Sequence, residues 1–205
     1  PLLAEHRGIP LPEALGLASQ IVDQLGRQLA SNSKAGATAE PGLEALIAPL
    51  IGAGAAELSS LGRAFGMADV SRFEMAAAGL ARVERFKSLG YRLGIVSNTT
   101  TPPALLDEYL RNVGLLPLFD AVVYSVAEGI RKPHPAVYRA ALAELGARPE
   151  ETVFVGDRVR EDVRGPRSVG MLAVLTQEFR QEDPAGSAPL AVIATLEELE
   201  DVVSR

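Results

Sequence analysis

Apolar positions in the first part of the chain recur at intervals of three and four: Leu15, Ala18, Ile21, Val22, Leu25 and Leu29 in one stretch, Phe73, Ala76, Ala77, Leu80, Val83 and Phe86 in another. That period lets a helix present one apolar face, and it predicts an all-α region over residues 11 to 89. Ser31 to Gly42 interrupts it with Ser, Asn, Gly, Ala and Pro. This composition predicts an exposed, mobile loop, with Pro41 placed to open a helix near Leu43. From Gly90 onward, short apolar runs alternate with amphipathic segments, the pattern of βαβ units and a parallel sheet. Strands are predicted near 92–97, 120–124, 152–156, 171–175 and 190–193. Helices are predicted near 102–113, 135–146, 159–169 and 195–203, the first capped by Thr101 with Pro102 as its first residue. The change near Lys87 to Tyr91 divides the chain into a mostly helical region, 1–88, and an α/β region, 89–205.

Length and charge narrow the reading. The 205 residues suffice for one well-buried core with an appendage, not for two full-sized domains. A net charge of −6, with acidic and basic residues interspersed, offers no basic face to nucleic acid or to an acidic membrane surface. Small molecules or proteins are the expected partners. The chain has no cysteine, which excludes disulfides, thiolate catalysis and Cys-based zinc sites and points to a cytoplasmic location. His6 and His134 stand far apart, so any metal is expected to be oxygen-ligated, as magnesium prefers. The most apolar long stretch, Leu43 to Leu58, carries Glu44, Pro49 and two glycines and falls short of a membrane span, and the first residues do not form a signal peptide. Gly52-Ala53-Gly54 fails as a dinucleotide fingerprint because Glu57 occupies the third glycine position, and no glycine-lysine phosphate loop is present.

Three short stretches carry the candidate chemistry. Ile95-Val96 ends in Ser97 and Asn98 just before a capped helix, so a hydroxyl, an amide and free backbone N–H groups can converge on an anion; a well-capped turn is the plainer alternative. Arg131-Lys132-Pro133 places a lysine where it can neutralise phosphate oxygens, although Lys-Pro also punctuates surface turns. His134, beside it, reads as a helix-start residue. Thr152 to Val155 ends in Gly156 and Asp157, with Asp162 one turn on. Two carboxylates so placed can hold a hard divalent cation, or they can pair with Arg158, Arg160 and Arg164 on a charge-laced helix start.

The order and spacing of these stretches resemble the later motifs of the haloacid dehalogenase-like superfamily: a strand ending in Ser-Asn, a downstream Lys-Pro, and a strand ending in Gly-Asp with a second Asp five residues on. The resemblance spans about residues 80 to 205, including Leu118 to Ser125 and Gly165 to Met171, with a helical cap-like segment before it. It implies a doubly wound parallel sheet in a Rossmann-like α/β core under a helical cap. It also implies that Ser97 and Asn98 bind a transferring phosphoryl group, that Lys132 stabilises its charge, that Asp157 ligates magnesium, and that Asp162 supports the metal and the lysine. Gly156-Asp157 favours a magnesium-dependent phosphatase of a small phosphorylated metabolite over the metal-free carbon–halogen hydrolases of the family.

The family's nucleophile is an Asp in an Asp-x-Asp motif ending a central strand, and no such motif precedes Ser97. Asp23 and Asp69, the only aspartates before it, lie in or open helical patterns. The strands ending at Ser97 and Asp157 are therefore expected to face a central position that must be filled by residues 1–10, by a rearranged pairing, or by a dimer or other strand-donating partner. A truncated hydrolase is the expected reading, and Pro at position 1 fits it; the alternative is a catalytically inactive phosphate-binding or protein-interaction module.

Overall fold

The computed structural model describes residues 2–34, 38–51, 54–71, 73 and 78–204. The first half is helical, as its periodicity predicts: α1 (Leu2–Arg7), α2 (Leu11–Lys34), α3 (Leu43–Ile51), α4 (Ala55–Val70) and α5 (Gly79–Ser88). Ala14, Ile21 and Leu25 of α2 pack against Leu43, Leu46 and Ile47 of α3 and Leu61 of α4, forming a helical core of their own. The apolar face of α2 is narrower than the sequence suggests. At 3.6 residues per turn, Leu15 and Val22 lie roughly 100° round from Ile21, and they are 57% and 53% exposed. Ala76 and Ala77 lie outside the described residues, and Phe73 stands before α5 rather than within it.

The expected loop at Ser31 to Gly42 is shorter and tied down, and residues 35–37 of it lie outside the described residues. Helix α2 continues to Lys34, and Ala39 makes an antiparallel bridge to Ile130. The bonds Glu40 N–H to Gly129 O (2.9 Å) and Arg131 N–H to Thr38 O (2.7 Å) pin this segment, and Glu40 is buried rather than exposed. Backbone pairing on either side of Glu40 satisfies the polar groups next to the buried side chain.

The second half is the expected parallel α/β region: β1 (Gly94–Ser97), α6 (Pro103–Asn112), β2 (Ala121–Tyr124), α7 (Ser125–Glu128), α8 (Pro135–Leu145), β3 (Val153–Gly156), α9 (Gly165–Arg167), β4 (Leu172–Thr176), β5 (Ala191–Ile193) and α10 (Leu199–Val203). The strands form two sheets rather than one. β1 pairs with β2, Ile95 opposite Val122; β3 pairs with β4, Phe154 opposite Ala173; β4 pairs with β5, Leu175 opposite Val192, all in parallel. Among the described residues no strand pairs with the other edge of β1 or of β3. Helix α8 bridges the two sheets. Its Val137, Tyr138 and Leu142 take Val96 of β1 and Phe154 of β3 on one apolar surface.

This division leaves a mark on burial. β2 and β4 are largely buried, whereas β1 and β3, with the most strand-like sequences, are only half-buried. Two other boundaries move. Helix α6 starts at Pro103 with Pro102 at its cap, and the Thr101 hydroxyl donates to Asp69 on α4 (2.8 Å). The expected helix at 159–169 is a π-helical turn, Val159–Arg164, followed by α9. Among the described residues no helix is long and apolar enough to cross a membrane.

Candidate active site

The carboxyl ends of β1 and β3 deliver their polar residues to one place. A cavity of about 470 Å³ lies between them, lined on one side by Val96, Ser97 and Asn98, on the other by Asp157, Glu161 and Asp162, and closed by Arg131 and Lys132 from the turn before α8. Parallel strands open their chemistry at the carboxyl edge because each strand there turns into a loop and helix with unspent backbone groups. The three stretches singled out in the sequence thus meet, although they are separated by some thirty residues each.

Asn98 clamps the lysine loop. Its side-chain amide donates to Lys132 O (3.1 Å) and its Oδ1 accepts from Lys132 N–H (2.7 Å), so the carboxamide is engaged by the backbone rather than turned free into the cavity. The Lys132–Pro133 peptide bond is cis, and His134 caps α8 by accepting from Ala136 N–H (3.2 Å), the helix-start role expected of it. Held in this way, Lys132 places Nζ 2.8 Å from Asp162 Oδ1 and 5.1 Å from the centre of the Phe154 ring. The ammonium is paired on one side and lies over an aromatic face on the other, which fixes a normally flexible side chain.

Asp162 is 3% exposed, and its second oxygen accepts from Arg158 N–H (3.0 Å). Both carboxylate oxygens are committed, so the residue orients Lys132 and the loop after β3. Asp157 is more open, its carboxylate 3.4 Å from the half-exposed Arg180 guanidinium. Gly156 is required by this geometry: a Cβ there would stand 2.5 Å from Cβ of Asp162. Gly165 is required in the same way, since a side chain would collide with the Tyr138 ring. The Tyr138 hydroxyl donates to Glu161 O (2.5 Å), and burial together with the neighbouring Asp162 and Glu161 carboxylates raises its pKa well above the usual phenol value. That bond and the tight glycine contact accompany the wide π turn, a form that recurs at functional sites.

A second layer was not apparent from the sequence. Ser125, at the end of β2, accepts from Thr99 N–H (2.8 Å) and bonds to Glu40 Oε2 (2.9 Å), and Glu40 also pairs with Arg131 Nε (3.4 Å). Burial raises the Glu40 pKa, with the Ser125 bond and Arg131 opposing it. Ser125 had a signal, a polar residue ending an apolar strand. Glu40 had none, since nothing local marks one loop carboxylate as buried. Asp23 is exposed on α2, and Asp69 lines a different cavity, bonded to Thr101; neither reaches the cavity between β1 and β3.

As hydrolase chemistry, this is a set of donors and cationic side chains, Lys132 among them, around a hole that can take a tetrahedral anion. The family model of the haloacid dehalogenase-like hydrolases matches residues 17–170. The chain belongs to the haloacid dehalogenase-like hydrolases. This hydrolase chain is 34% identical over 122 residues to a glyceraldehyde 3-phosphate phosphatase of Methanothermobacter thermautotrophicus, covering 57% of this chain and 53% of the relative. It is 40% identical over 104 residues to a phosphoserine phosphatase of Thermus thermophilus, covering 50% and 41%. The chain spans about half the length of the curated relatives it matches. In three dimensions it is similar to the crystal structure of a phosphatase of the same superfamily from Thermococcus onnurineus, with a TM-score of 0.63 and 25% identity over 98% of this chain and 84% of that one.

The donors fit magnesium in part. A hard cation takes oxygen ligands, commonly one or two carboxylates with waters and substrate phosphate. Asp157 can serve as such a ligand, and each Asp162 oxygen, which accepts one hydrogen bond, keeps a second lone pair. Among the described residues no three carboxylates or imidazoles cluster closely enough to hold a metal by themselves.

Proposed function

We propose that this chain carries the phosphate-receiving part of a magnesium-dependent phosphatase of small phosphorylated metabolites, working through an aspartyl-phosphate. The observation that supports it is the convergence of Ser97, Lys132, Asp157 and Asp162 on one cavity between two open strand edges. Ser97 and Asn98, at the carboxyl end of β1, hold phosphate oxygens. Lys132, kept in place by Asp162, offsets the charge that builds as the ester bond breaks. Asp157 ligates the magnesium ion, which supplies further neutralisation of phosphate charge when bound. The attacking carboxylate would come from a strand paired between β1 and β3, a position that no strand of the described residues occupies. Helices α2 to α4 form the cap that screens the reaction from water.

Hydrolysis of an aryl phosphate by the full-length gene product tests this. Magnesium-dependent turnover that falls at least about a hundredfold in both Asp157→Ala and Lys132→Ala sustains the reading. Phosphate binding without turnover would instead support a non-catalytic phosphate-binding module, the reading favoured by the Asp157–Arg180 pair.

A further inference from the structure

A second cavity, of about 500 Å³, adjoins the first, and Ser97, Asn98 and Arg131 line both. A monoester with its phosphate beside Lys132 would therefore direct its leaving group into this second space. Its apolar walls are Val22 and Leu25 of α2, Phe65 of α4, Leu106 of α6, and Phe73, with Thr99 to Thr101 beside Ser97 and Asn98 at the mouth shared with the first cavity. The exposed Val22 and Phe73 thereby gain a use, since large apolar side chains facing a cavity are what a ligand body covers.

The charges of this cavity are uneven. Glu40, Asp69 and Arg131 line it, and Arg131, the only cation among its described lining residues, is paired with Glu40. Asp69 has a neutral partner, the Thr101 hydroxyl. A second anionic group on the substrate would meet this carboxylate with no unpaired cation among the described lining residues to receive it, whereas an uncharged apolar body would meet side chains that gain by being covered.

We infer that the leaving group is uncharged and largely apolar, of aromatic size or larger, and that esters bearing a carboxylate or a second phosphate are rejected by Asp69. The inference rests on the reading of Ser97 and Lys132 as the phosphate cradle. It is tested on the full-length protein in magnesium buffer by calorimetric titration with benzylphosphonate and phosphonoacetate, which share a head group and differ in the tail.

Benzylphosphonate should bind at least about tenfold more tightly. Asp69→Asn should strengthen phosphonoacetate more than benzylphosphonate, and Phe65→Ala should weaken benzylphosphonate more than phosphonoacetate. Equal or reversed affinities, variants that move both ligands alike, or binding of neither would overturn the inference. Phenyl phosphate hydrolysis by the same samples separates the two claims. The expected preference without turnover removes the phosphatase and keeps the cavity, and turnover with the reverse preference does the opposite.

Discussion

Lys132 shows how a single residue can be bound to its neighbours more tightly than its chemistry alone suggests. Its ammonium is 2.8 Å from a carboxylate that is itself almost fully buried. Removing one member of such a pair leaves the other charge without a partner in a poor solvent, so Lys132→Ala should destabilise the fold by about 3 kcal/mol, measured by chemical denaturation. Changing both partners, Lys132→Ala with Asp162→Ala, should cost less than the sum of the two single changes. A purely additive result would show that the pair is not coupled. Asn98 adds a different lesson. Its position after β1 was visible in the sequence, but the commitment of its amide to the Lys132 backbone depends on a residue 34 positions away.

Between elements, the clearest junction is Asp120, just before β2. It accepts from Lys87 near the end of α5 (2.7 Å and 2.9 Å) and from Leu93 N–H before β1 (2.7 Å). These bonds, the Lys87 bond foremost, hold its pKa below the ordinary 3.8. A lowered acid contributes stability above its unfolded pKa and loses it as pH falls through the folded value. Asp120→Asn should therefore cost about 1 kcal/mol at neutral pH, and the difference from the parent should close in acid below about 3.8, read from denaturation midpoints across pH. A difference that persists unchanged in acid would assign the effect to shape rather than charge. Thr101, read from the sequence as the cap of α6, instead lies outside the cap position and joins α6 to α4 by donating its hydroxyl to Asp69.

At the level of the whole molecule, the parallel strands divide into β1–β2 and β3–β4–β5, joined through α8. The backbone groups on the open edges of β1 and β3 have no ladder partner among the described residues. Their amides should exchange with solvent faster than those of β4, which is paired on both sides, and hydrogen exchange with peptide resolution can read the difference. Equal protection of β1, β3 and β4 would contradict the division. The strand-and-helix alternation, the helical first half, and the motifs at Ser97, Lys132 and Asp157 were legible because each depends on residues a few positions apart. Periodicity, turn-forming residues and strand-ending polar groups act over that range. The open position between β1 and β3 was legible too, from the missing strand-ending Asp motif; the burial of Glu40, the exposure of Leu15 and Val22 and the π turn that places Asp162 were not, because each depends on which distant surface the chain meets. The sequence by itself determined the elements and the chemical kinds of group at their ends; only the tertiary structure decided which groups meet, because burial and pairing are properties of contacts between segments and not of any segment alone.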